Sequence, residues 1–154
     1  MALKKPKSAR LDRDTRGMVM LTGNPVWRAF AKKPVSTDTQ TTIGLAGRKA
    51  LYALTNGSGE FEHFNELVVT AYTAIILAED GYGADLLREF HAALVTILEC
   101  RVRSLNGACY SLDEQESRGV NELLELHEQQ VQLAGKAELA AAIIEGYRRA
   151  QAAL

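Results

Sequence analysis

From residue 37 onward, apolar positions recur at three- and four-residue steps in five stretches, separated by short polar breaks that carry glycine. That is the period of helices with one buried face. The first stretch runs from about Thr37 to Thr55, with Ile43, Ala46, Ala50 and Leu54 on one side, and stops at Asn56-Gly57. The second, Glu60 to Glu79, is the most regular: Phe61, Phe64, Val68, Ala71, Ile75 and Ala78 follow one another before Gly81-Tyr82-Gly83 breaks the pattern. The third, Ala84 to Leu105, has two apolar stripes. One is Leu87, Phe90, Leu94 and Ile97; the other is Val95, Leu98, Val102 and Leu105. A helix apolar on two sides is either central in a bundle or buried between subunits.

The fourth stretch opens with Ser111-Leu112-Asp113-Glu114, read as a capping box in which hydroxyl and carboxylate satisfy each other's backbone N–H groups, and continues through Val120, Leu123, Leu124, Val131 and Leu133 to Gly135. The fifth covers Ala137 to about Ala153, with Leu139, Ile143, Tyr147, Ala150 and Leu154 as its stripe. Upstream, Asn24-Pro25 places an N-cap side chain before a residue whose fixed φ suits the first helical position. It predicts a short helix from Pro25 to Lys33 carrying Trp27, Phe30 and Ala31. Short connections favour antiparallel neighbours. The expected architecture is an all-α antiparallel bundle of about five helices over residues 24–154, preceded by an arm over residues 1–23. Composition agrees: all three prolines lie in the first 34 residues, and the rest of the chain is rich in Ala, Leu, Glu and Gln.

Charge sharpens this division. Through Lys33 there are nine basic residues against Asp12 and Asp14, a charge of +7; the remainder has nine basic residues against seventeen acidic ones, −8. The net value of −1 conceals the split. A basic arm on an acidic body can hold nucleic acid, an acidic protein, or the acidic body of its own or a neighbouring subunit. Lys4, Lys5, Lys7, Arg10, Arg13 and Arg16 could each neutralise a phosphate. However, the body repels a duplex, and no recognition helix with clustered Arg, Asn or Gln is visible. The longest uncharged apolar run, Leu139 to Ile144, is far short of the ~20 residues that span a bilayer. MALKKPKSAR lacks the apolar segment of a secretory signal, and Cys100 and Cys109 form no framework, so reduced thiols in the cytoplasm are expected.

Candidate chemistry adds little. Glu60 and His63 have the i, i+3 spacing with which a carboxylate and an imidazole share a metal, but the second Glu-x-x-His of a di-iron bundle is absent. A surface pair near a helix start is the plainer reading, and no metal or cofactor is expected. His127 sits in the apolar stripe between Leu124 and Val131, either as a hydrogen-bonded core histidine or as a contact at a partner surface. Cys100 lies on a buried-looking face, where a thiol is packing; Cys109 falls in a loop with no histidine placed beside it by sequence. Gly44-Leu45-Ala46-Gly47 resembles the GXXG loop of KH domains, which requires flanking strands; small residues for close helix packing explain it better. Trp27 is expected to pack on the bundle.

From Cys109 onward, CYSLDEQE…VNELLELHEQQ…AELAAAIIEGYRR resembles the C-terminal half of small all-helical proteins encoded on proteobacterial phages and plasmids. The resemblance covers about the last 45 residues and an Asn-Pro near the start, and carries no catalytic motif. It implies a mobile-element accessory protein acting in regulation or on host machinery. The function expected is therefore a non-enzymatic, protein-binding accessory or regulatory protein, a homo-oligomer without membrane contact. Its candidate partner-binding residues are Lys4, Lys5, Lys7, Arg10, Arg13, Arg16, Trp27, Phe30 and His127. Nucleic-acid binding through residues 1–23 is the alternative.

Overall fold

A computed structural model of the chain describes residues 33–154. The arm, with Lys4, Lys5, Lys7, Arg10, Arg13 and Arg16, and the expected short helix with Trp27 and Phe30 lie outside the described residues. The described part is an up-and-down bundle of five helices: α1 (Thr37–Thr55), α2 (Phe61–Glu79), α3 (Leu87–Leu105), α4 (Glu114–Leu133) and α5 (Lys136–Ala153), with one 3₁₀ turn, Ala84–Leu86, leading into α3. The all-α expectation holds, and helix bounds fall close to those read from the periodicity.

The central helix is α2 rather than the doubly striped α3. Residues 67–71 and 73–78 of α2 are all buried, and it touches each of the other four helices. Thr73, buried in α2, returns its hydroxyl to Val69 O at 2.8 Å, and among the described residues no buried side-chain nitrogen or oxygen lacks a hydrogen-bond partner. α3 buries only the Leu87–Phe90–Leu94–Ile97 side, with Ala93 and Cys100.

Glycines let elements approach. A Cβ at Gly47 would stand 2.8 Å from Leu124 Cδ2, and one at Gly44 3.0 Å from Glu128 Oε1. The Gly44–Gly47 pair is thus the α1–α4 contact inside a helix, and the KH-like reading fails because no strand flanks it among the described residues. At the other end of α1, Gly59 pairs with Tyr110 so closely that a Cβ would meet Tyr110 O at 2.1 Å.

Three sequence expectations shift. The capping box of α4 is built two residues later than expected: Asp113 Oδ1 accepts from Glu116 N–H at 2.8 Å, and Glu116 Oε2 accepts from Asp113 N–H at 2.9 Å. The cause is Leu112, which is buried and donates its N–H to Leu54 O at 3.0 Å. That bond holds the segment across the end of α1 and delays the helix. α3 begins at Leu87, after the 3₁₀ turn occupying Ala84–Leu86. α5 is rotated: its inward residues are Leu139, Ala142, Gly146 and Ala150, while Tyr147 is 47% exposed. Gly146 explains this, since a Cβ there would lie 2.6 Å from Thr73 Oγ1. The small residues let α5 lie against the crowded α2.

Candidate interaction surface

The strongest candidate site is a surface. Val95, Val102 and Leu105 of α3 are 54%, 58% and 73% exposed, and Leu98 between them is half-buried. Their spacing of three, four and three residues puts them on one face of the helix. The other stripe of α3 anchors the helix in the core, so the outer stripe is held rigidly outward. Arg88, Glu89 and Glu99 are exposed on the same helix, giving it both signs of charge. At its C-terminal end the helix is fixed by Arg103, which donates to both carboxylate oxygens of Glu116 at 2.9 Å and to Ser111 O at 3.0 Å. Arg101 lies 5.7 Å from the Phe61 ring centroid and donates to Leu154 O at 3.0 Å. The stripe was legible in the sequence; its exposure was not, because periodicity does not tell which of two apolar faces finds a partner within the fold.

His127 is in the core, 3% exposed, which removes it from any partner surface in this conformation. Its Nδ1 lies 3.1 Å from Gln130 Oε1. Gln130, fully buried, donates its amide hydrogens to Ala74 O at 2.9 Å and Tyr82 O at 2.8 Å. With both amide hydrogens committed, the Gln130 oxygen must accept, and His127 carries its proton on Nδ1. Burial, only partly offset by the Gln130 bond, holds the histidine below its ordinary pKa and so neutral. This group ties α4 to the end of α2, and Tyr82 extends it by donating its hydroxyl to Glu138 at the start of α5. Burial first, then that hydrogen bond, raises the Tyr82 pKa.

The remaining candidates resolve into structure. His63 reaches back to accept the Glu60 N–H on Nδ1 at 3.2 Å, so the Glu-x-x-His pair caps α2. Among the described residues no group of three or more His, Cys, Asp or Glu side chains could hold a metal ion. Cys100 is fully buried and its thiol pKa is raised by that burial, the opposite of an activated thiolate; Cys109 is exposed. A shallow groove of about 620 Å³ runs between α1 and α4 past Leu51, Leu112, Ser117 and Asn121. Polar groups of its lining are engaged within the fold: Thr55 donates to Leu51 O and lies 3.1 Å from the Ser117 hydroxyl, Asp113 caps α4, and the exposed Arg118 pairs with Glu114. Among the described residues no helix is long and apolar enough to cross a membrane. Comparison of the chain with protein-family models, curated proteins and solved structures returns no match.

Proposed function

We propose that the chain is a non-enzymatic, protein-binding protein that pairs with copies of itself and serves a mobile element as an accessory or regulatory factor acting on another protein. The single observation that carries this reading is the outer stripe of α3. Val95, Leu98, Val102 and Leu105 repeat at the seam spacing of paired helices, and three of the four are more than half exposed. Fully burying one such side chain is worth roughly 1.5–3 kcal/mol, so covering the stripe recovers about half that for each exposed residue. A two-fold contact sets one patch against its own copy, which suits a helix carrying Arg88 beside Glu89 and Glu99. The mobile-element setting rests on the resemblance of the C-terminal half to phage and plasmid proteins.

Nucleic-acid binding through residues 1–23 is the second reading, favoured by the +7 charge of the first 33 residues. Affinity capture from the host, with and without residues 1–23 and with half of each sample treated with nuclease, separates the two. Protein partners that survive nuclease support the first reading. Recovery of nucleic acid that depends on Lys4, Lys5, Lys7 and Arg10 and falls steeply with salt supports the second.

A further inference from the structure

The outer stripe of α3 does not end at the edge of its helix. Arg101 follows Leu98 by three residues and precedes Leu105 by four, so the three share a side of α3. Its guanidinium stands 5.7 Å from the ring centroid of Phe61 on α2 and donates to Leu154 O, at the end of α5, at 3.0 Å. α3, α2 and α5 therefore meet at this arginine. Tyr147 comes seven residues before Leu154, on the same side of α5, and Ile144 lies one turn further back. Phe61, Tyr147 and Ile144 are 43%, 47% and 69% exposed. Between them Tyr72 of α2, Leu98 and Leu154 lie half-buried on one apolar core, so the surface is continuous from α3 to α5.

We infer that the contact between copies spreads from the α3 stripe across Phe61 and Arg101 to Ile144 and Tyr147 of α5, an inference that rests on the self-pairing reading above. Size is the first reason. A stable contact removes about 800 Å² from each partner and engages roughly 20–30 residues a side. Full burial takes about 60–120 Å² of a Val or Leu side chain out of water, so a four-residue stripe that is already partly covered offers only roughly 150–300 Å². An aromatic side chain buries about 150–250 Å², and Phe61 and Tyr147, nearly half exposed, each add roughly 70–120 Å². With Ile144 and the polar residues around it, the wider face comes into the range a lasting pair requires. Residue type is the second reason. α2 and α3 hold no lysine, and α5 has one only at its first position, Lys136. The face offers Phe, Tyr and Arg instead, the types that interface centres favour. Arg101 is already held by the Phe61 ring and the Leu154 carbonyl, so covering it costs little further ordering. Charge fits a second copy as the occupant. The charged groups of these helices include Glu62 and Glu99 as well as Arg101 and Arg148. A two-fold axis can set such a patch on its own copy without confronting a single sign of charge throughout.

Sedimentation equilibrium of the full chain over a concentration series reads this contact. The expected result is an associating chain whose dissociation constant rises about tenfold or more with Tyr147→Asp and, separately, with Ile144→Asp. Circular dichroism should stay unchanged, because both positions are on the surface. Tyr52→Asp on α1, where the tyrosine is 70% exposed, is the control and should leave association as it is. A chain that Val95→Asp/Val102→Asp makes monomeric, but whose dissociation constant neither α5 substitution moves, overturns the inference and leaves the pairing through α3 standing. A chain that is monomeric without any substitution overturns both. Association weakened as much by Tyr52→Asp as by Tyr147→Asp also overturns the inference, because α5 would then have no special place in the contact.

Discussion

Replacing Gln130 by alanine tests the buried polar group that joins α2, α4 and the turn after α2. Gln130 is fully buried and makes three hydrogen bonds, to Ala74 O, Tyr82 O and His127 Nδ1. Ala74 O belongs to a helix interior, but truncation leaves Tyr82 O and the His127 N–H to find other partners. Each buried group left unpaired costs about 1–3 kcal/mol, and the space vacated by the side chain adds a cavity penalty. The expected loss is about 3–5 kcal/mol, which for a domain of this size lowers Tm by roughly 10–20 °C. Gln130→Glu probes the same site by charge: it removes the two N–H donors and places a carboxylate facing two carbonyl oxygens. It should be worse than alanine at neutral pH and partly recover as the carboxyl protonates. The assay is urea and thermal unfolding followed by circular dichroism at one fixed protein concentration, because association shifts apparent stability. A loss below about 1 kcal/mol for alanine, within the net value of a single ordinary hydrogen bond, would refute the reasoning.

Four further outcomes rest on the same geometry. Stability should be level above pH about 6.5, the unfolded value of histidine, and should fall as pH drops below it. The pKa of His127 is lowered in the fold, so in that window the unfolded chain binds the extra proton; His127→Asn should flatten this part of the profile. Gly47→Ala should cost about 1–3 kcal/mol by pressing on Leu124. Gly119→Ala, where an added Cβ meets nothing within 4 Å, should stabilise α4 by about 0.5–1 kcal/mol in the same unfolding assay. Asp113→Ala should cost about 1 kcal/mol as a lost cap, while Ser111→Ala should be near neutral, which checks where α4 begins.

The five helices were legible because each has its own period and its own stop: Asn56-Gly57 after α1 and Gly81-Tyr82-Gly83 after α2 are local signals that the fold obeys. What escaped was decided between helices. The start of α4 moves because Leu112 bonds to Leu54, far away in sequence. The inward face of α5 departs from its most apolar stripe because Ile143 and Tyr147 are more hydrophobic than Gly146, yet only the glycine lets the backbone approach Thr73. The two stripes of α3 fit either a central helix or one buried between subunits; α2 takes the central place, with the buried Thr73 bonded within the helix to Val69 O. His127 lies in the apolar stripe of its helix, where a hydrogen-bonded core histidine is one of its two readings; its partner Gln130 and the carbonyls of Ala74 and Tyr82 that hold Gln130 come from the tertiary fold and carry no signal in the sequence. The outer α3 stripe is visible as a pattern, but its availability is a property of the assembled bundle.

The central claim is that this stripe pairs one copy of the chain with another. Light scattering of the full chain across a concentration series tests it most directly, alongside a Val95→Asp/Val102→Asp variant with unchanged circular dichroism. The account predicts a dimer or larger species for the unsubstituted chain and a monomer for the variant. A monomer for both at the highest soluble concentration, or an oligomer untouched by the substitutions, would contradict it.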